Sequence, residues 1–192
     1  TDEYGAANNE LYRGSMTRDG YIYISIDNEG TPVPKGRAWR KSIYGKLGQI
    51  DVEDQAAAAE QIRHWPFVDS NRIAVWGWSN GGTLSLNLIF RYPGIYKSAV
   101  AISPITNFEL YDNIYTERIM GLPQQNKTAY INGSLVTYAK NLMGNLLFIH
   151  GSGDDNVHYA HAEILLNALI KYNKIFQFME YPNRTHSISE GE

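Results

Sequence analysis

Residues 72–92 read RIAVWGWSNGGTLSLNLIFRY, and this stretch decides the fold. Its first part, 72–76, is an apolar, β-branched run of the length of a buried strand. Its last part, 81–92, is an apolar helical run stopped by Pro93-Gly94. Between them lies Gly77-Trp78-Ser79-Asn80-Gly81, a G-x-S-x-G turn. The spacing has a steric origin. A serine on a tight strand-to-helix turn needs small neighbours so that backbone can pass close by. The turn lifts the hydroxyl above the sheet and aims the helix N-terminus at it. Ser79 is therefore the candidate nucleophile. The backbone N–H of Asn80 is the candidate donor to a developing oxyanion. The plainer reading is a glycine-rich turn with a capping serine.

Outward from this stretch, strands and helices alternate. Apolar runs at 21–27 (YIYISID), 98–102 (SAVAI), 145–150 (NLLFIH) and 176–181 (FQFMEY) read as further strands. Segments 51–65 and 160–172 read as helices, the first Ala-rich with acids in its first turn. Continuous apolar strands separated by helices predict an α/β protein: a doubly wound, mostly parallel sheet with helices on both faces. Sites in such sheets lie beyond the carboxyl ends of the strands. The chemistry should thus follow residues 76, 150 and 181.

Composition narrows the classes. The 192 residues suit one domain with a sizeable core. Seventeen basic and twenty acidic side chains give a net charge of -3, which argues against a nucleic-acid footprint or a polybasic membrane patch. No apolar run approaches a membrane span. The chain has no cysteine, so disulfides and thiolate metal sites are excluded. It begins at Thr1 with no signal peptide and stops after a loop-like segment, so 192 is read as a sampled length.

A serine hydroxyl needs an adjacent base, and the chain order in this class of sheet is Ser, then Asp or Glu, then His. After the strand at 145–150 comes Gly151-Ser152-Gly153-Asp154-Asp155-Asn156-Val157-His158. After the strand at 176–181 comes Pro182-Asn183-Arg184-Thr185-His186. His186 is assigned as general base and Asp154 as its orienting carboxylate, with Asp155 the competitor. Either aspartate could instead cap the nearby helix. His64 reads as a surface group and His150 as a structural one. His158 and His161 lie three apart, but nothing completes a metal ligand set. Asp51, Glu53 and Asp54 resemble a cation site, yet acids in a first helical turn explain them. No metal and no cofactor is expected.

Three segments carry a family resemblance: Gly77-Trp78-Ser79-Asn80-Gly81-Gly82, residues 115–123 (YTERIMGLP) and residues 150–158 (HGSGDDNVH). Together they are similar to the dipeptidyl peptidase IV branch of the prolyl oligopeptidase family. The resemblance runs from about Gly20 to His186, and its texture is nearest to enzymes of Bacteroidetes-type bacteria. It implies an α/β-hydrolase fold and a serine exopeptidase releasing N-terminal X-Pro, or X-Ala, dipeptides through an acyl-enzyme. It implies Ser79, Asp154 and His186 as the triad. Tyr111, Tyr115, Ile105, Phe108 and Val157 would line the slot for the proline ring, although the same residues could simply be core. Asn156 would hold the substrate's preceding carbonyl, or cap a turn. The partner is a peptide with a penultimate proline; the resemblance further implies homodimers of the parent protein and a periplasmic or secreted location.

Departures from the family pattern also stand in the sequence. Asp27-Asn28-Glu29-Gly30 replaces the usual Asp-x-Arg-Gly, which puts the order of that loop in question. Asn80 stands where tyrosine is usual, and Ser187 where glycine is common. No match is found to the family's β-propeller, its oxyanion tyrosine or its final helix. The chain, 1–192, thus reads as a partial catalytic domain, incomplete at both ends. Losing one oxyanion donor costs about 100- to 1,000-fold in turnover, so weak or no activity is expected of this polypeptide alone. The rival readings are an esterase or acylaminoacyl peptidase with the same triad, and a non-catalytic binding or dimerisation domain. A neutral imidazole is required of the base, so the rate should rise with pH across the histidine range.

Overall fold

The computed structural model describes residues 16–189, so the outer ends of the 1–192 domain lie outside the described residues. In chain order the elements are α1 (Gly36–Lys41), α2 (Ile50–Ile62), β1 (Ala74–Trp78), α3 (Asn80–Arg91), β2 (Ser98–Ile102), α4 (Asn113–Met120), α5 (Lys127–Gly133), β3 (Asn145–Gly151), α6 (Ala160–Lys171) and β4 (Gln177–Tyr181). Single 3₁₀ turns occur at Phe108–Leu110, Leu135–Thr137 and Ala139–Asn141. Among the described residues the strands form one sheet in the order β1-β2-β3-β4, every neighbouring pair parallel.

That order explains where the helices go. Each strand is added on the same side of the one before, and parallel crossovers are right-handed, so successive connections fall on one face. Ala99 and Ala101 of β2 and Leu146 and Phe148 of β3 form a core on that face with Leu86, Ile89 and Phe90 of α3 and Ala162, Leu165 and Leu169 of α6. Helix α2 joins the same side, packing Val52, Ala56 and Ala59 against Leu88, with Val75 of β1 beside them. The expectation of helices on both faces is therefore met on one face among the described residues. The other face presents Trp76, Trp78 and Met179, all more than a third exposed. Apolar strands do not report the direction of winding.

One expected strand is corrected. Residues 21–27 have no regular secondary structure, and Tyr21 and Ile22 are about half exposed. A strand requires a ladder with a neighbour, which an apolar run alone does not supply. The segment is instead tied to α2 by side chains: Gln55 Nε2 donates to the Ile26 carbonyl (2.8 Å) and to Asn28 Oδ1 (3.1 Å). The loop that follows is ordered despite Glu29, because the Glu29 N–H donates to Asp54 Oδ2 at 2.8 Å.

A second core lies beyond the carboxyl ends of the strands. It gathers Leu47, Ile105, Phe108, Met120, Tyr130 and Val157, with Tyr111 and Tyr115 packed against it. The irregular crossover between β2 and β3 thus builds a floor at the edge where the sequence places the chemistry.

Candidate active site

Ser79 sits between β1 and α3 with φ 55° and ψ -122°. This left-handed backbone is costly for a residue with a side chain and persists only where its surroundings enforce it. They do so here by close approach. A Cβ on Gly77 would lie 2.3 Å from the Gly81 carbonyl carbon and oxygen, so only glycine allows the turn to close. The Ser79 N–H donates to the Ile102 carbonyl (2.8 Å), carrying the ladder one residue past β1. That donor is thereby committed. The next N–H belongs to Asn80, the first residue of α3, and opens the helix with no partner inside it. Thr83 fixes the loop after β2 to this turn: its Oγ1 accepts from the Ile105 N–H (2.8 Å) and donates to the Ile105 carbonyl (3.0 Å).

The loops after β3 and β4 are fastened to each other. The Ser152 N–H donates to the Tyr181 carbonyl (3.0 Å), and the Gly153 N–H to the Arg184 carbonyl (3.1 Å). Ser152 Oγ accepts from the Asn183 N–H at 2.9 Å. A Cβ on Gly151 would lie 2.3 Å from the Arg184 carbonyl oxygen, so the contact depends on that glycine. The result is a hydrogen bond of 2.8 Å between His186 Nδ1 and Asp154 Oδ2. With Nδ1 directed at the carboxylate, Nε2 is the ring nitrogen left to act as base. Trp78 Nε1 donates to the His186 carbonyl (3.1 Å), tying the histidine loop to the residue just before Ser79.

Asp154 and Asp155 have separate tasks. The Asp154 side chain is buried, and its Oδ1 accepts from the N–H groups of Asn156 (3.0 Å) and Val157 (2.8 Å). Burial alone would raise its pKa. Hydrogen bonds from His150, His186 and the Asn156 backbone, with the His186 charge, outweigh that and hold the carboxyl well below its ordinary range. Asp155 is exposed, and its Oδ1 accepts from the His186 backbone N–H at 3.3 Å. It steadies the loop rather than the imidazole.

The residues expected to line a pocket fall into two layers. Tyr111 and Tyr115 are half-buried and meet edge to face, ring centroids 5.5 Å apart. Ile105, Phe108 and Val157 are almost wholly buried and back them as core. Asn156 is exposed, and its Oδ1 accepts from the Tyr111 hydroxyl at 2.8 Å. Burial, then the nearby Asp51 charge, pushes the Tyr115 hydroxyl up to about 12, so it stays a neutral donor.

The remaining histidines divide. His64 is exposed and lies 3.2 Å from Glu60. His161 is fully buried; its Nδ1 accepts from the Thr106 N–H (3.2 Å), and burial, then His150, lowers its pKa to about 4. His150 is also buried, and its Nε2 lies 3.4 Å from Asp154 Oδ2. The sequence reading missed that link, although a histidine four residues before the aspartate, at the strand end, is its signal. No group of three or more metal-ligating side chains comes together among the described residues. Asp51 is buried in the first turn of α2, and burial raises its pKa to about 6 against hydrogen bonds from local backbone.

A parallel sheet with a strained serine turn, a buried aspartate and a histidine at its carboxyl edge has the architecture of an α/β-hydrolase. The profile of the prolyl oligopeptidase family matches residues 10–192, and the chain belongs to that family. It is 37% identical over 176 residues to dipeptidyl peptidase 4 of Felis catus, covering 90% of this chain and 23% of that protein. It is 35% identical over 178 residues to prolyl endopeptidase FAP of Mus musculus, covering 91% and 23%. The crystal structure of Porphyromonas gingivalis dipeptidyl peptidase 4 superposes with a TM-score of 0.83 at 40% identity, covering 86% of this chain and 23% of that one. The chain thus spans about a quarter of the length of the relatives it matches. No described helix is long and apolar enough to cross a membrane.

Proposed function

We propose that this chain carries the acyl-transfer centre of a serine peptidase that releases N-terminal X-Pro, or X-Ala, dipeptides. The Asp154–His186 hydrogen bond of 2.8 Å, linked through Trp78 to the strained turn of Ser79, carries this reading. In it, His186 Nε2 takes the Ser79 proton as Oγ attacks the proline carbonyl carbon, whose bond to the next residue's nitrogen then breaks. The Asn80 N–H receives the developing oxyanion. His186 then gives the proton to the leaving amine, and water opens the acyl-enzyme by the same route in reverse. Asp154 remains ionised and steadies the imidazolium, which its lowered pKa favours.

The specificity has a physical basis. A proline ring offers no N–H, so a slot of Tyr111 and Tyr115 over Ile105, Phe108 and Val157 suits it. With Asn156 Oδ1 accepting from Tyr111, the Asn156 amide nitrogen is the atom available to donate to the preceding carbonyl. By resemblance, the reading extends to a homodimer of the longer protein and a periplasmic or secreted location.

Fluorophosphonate labelling, joined to hydrolysis of Gly-Pro-anilide and its N-blocked form, tests the proposal. In the longer protein that carries this chain, label should appear and vanish in Ser79→Ala, with the free-amine substrate preferred. Equal cleavage of the blocked substrate would favour an acylaminoacyl peptidase, a prolyl endopeptidase or an esterase. Absence of label would leave a binding or dimerisation domain.

A further inference from the structure

We propose that His150 is a positioning residue for the Asp154 carboxylate, a buried second imidazole sharing the oxygen that holds His186. The inference rests on the role proposed above for Asp154. His150 Nε2 lies 2.8 Å from the Val157 carbonyl oxygen and 3.4 Å from Asp154 Oδ2. Both neighbours are acceptors, so this nitrogen carries a proton; it donates to the Val157 carbonyl and so holds its N–H beside the carboxylate. Asp154 Oδ2 is also the oxygen bonded to His186 Nδ1 at 2.8 Å.

The other ring nitrogen has a different setting. His150 Nδ1 is buried and has no hydrogen-bond partner among the described residues. The ring stands edge to face with Phe148 (centroids 6.0 Å apart, 82°) and Tyr159 (5.9 Å, 85°). Protonating Nδ1 would bury an N–H with no acceptor, which is costly. The geometry therefore places a proton on Nε2 and offers Nδ1 no acceptor.

The two imidazoles are unequal by design of the loops. One donor on β3 binds the Val157 carbonyl and stands beside the carboxylate, so it fastens the segment 154–157 to the strand end. The carboxylate is held at both oxygens, Oδ1 by two backbone N–H groups and Oδ2 by His186, with the His150 ring 3.4 Å from the same oxygen. Sharing Oδ2 lowers its basicity and so tempers its pull on the His186 proton. The other charged or titratable groups around His150 are His161 on α6 and Glu180, its register partner on β4, which accepts from the Tyr159 hydroxyl.

The test has two arms. Ring-nitrogen NMR of the unaltered protein should place the His150 proton on Nε2. A proton on Nδ1 would overturn the proposal, and this arm needs neither a variant nor activity. Fluorophosphonate labelling of Ser79 is then followed against pH in His150→Met and His150→Gln. Met should slow labelling about 10- to 100-fold, the scale of a lost hydrogen bond to a charged group. Its pH midpoint should also move upward, because Asp154, freed of one donor, holds the His186 proton harder. Gln keeps an amide donor and should restore rate and midpoint. A Met variant with unchanged rate and midpoint would overturn the proposal, since simple packing moves neither. Labelling is read in the longer protein that carries this chain; if that protein takes no label, the triad reading falls, and the NMR arm still decides His150.

Discussion

At Asp154 and Asp155, adjacent identical letters acquire different chemistry from direction alone. Asp154 points inward to two imidazoles and two N–H groups, and Asp155 points outward to one backbone N–H. Asp154→Asn keeps the shape but loses the charge that supports an imidazolium, and presents an N–H₂ that favours the wrong tautomer of His186. Labelling of Ser79 should fall about 10³- to 10⁴-fold. Asp155→Asn retains an acceptor for the His186 N–H and should change labelling by less than about threefold, within the range of one ordinary hydrogen bond. Reversed effects in a rate comparison would move the orienting role to Asp155. The spacing of Ser79, the aspartates and His186 was legible in the sequence because chain order and strand ends constrain it. The choice between neighbours rested on side-chain direction, which spacing does not encode. His150 was harder to read for a related reason: its partner is reached through a turn, and its only mark in the sequence is the spacing of four residues to Asp154.

At the scale of elements, the strands inside the sheet were legible because each is a short apolar run bounded by breakers, and 98–102 was placed to the residue. The run at 21–27 has the same texture, yet its contacts are with side chains of α2, since pairing depends on a neighbour and not on composition. The loops carried the least signal and do the most positioning. Gly151 illustrates this. Its missing Cβ lets the histidine loop pass 2.3 Å from where that atom would be. Gly151→Ala must push the 182–186 loop away or distort β3. The fold should lose about 1–3 kcal/mol, the usual cost of overpacking. Labelling of Ser79 should fall by at least tenfold, since small misplacements of a base are costly. Unfolding and labelling measured on one preparation check both. Full labelling with reduced stability would show that the loop tolerates displacement.

Across the whole molecule, two buried titrations outside the proposed triad oppose each other. His161 binds its proton with a pKa of about 4 in the fold against 6.5 in the open chain, because burial disfavours the cation. Between those values the unfolded chain holds the extra proton, so stability rises with pH. Asp51 has the opposite sign. Burial raises its pKa from 3.8 to about 6, the folded state holds the extra proton, and stability falls as pH rises through that window. Each effect amounts to about 3 kcal/mol over its full range. The windows overlap from about pH 4 to 6, where the slopes cancel, and the protein should show a plateau. Below it, Asp154 decides the outcome: its lowered pKa means the unfolded chain takes up the proton first, and stability drops with further acid. Single variants separate the opposing groups. His161→Asn keeps an acceptor for the Thr106 N–H but cannot be protonated, so only the Asp51 slope remains and stability should fall from pH 4 to 6. Asp51→Asn removes the other slope, so stability should rise over the same interval. It should also exceed that of the unaltered chain at neutral pH by about 1–3 kcal/mol. Urea midpoints at several pH values report these slopes directly. Parallel curves for the two variants would mean that His161 and Asp51 do not titrate in opposition, and would place the acid response of this fold elsewhere.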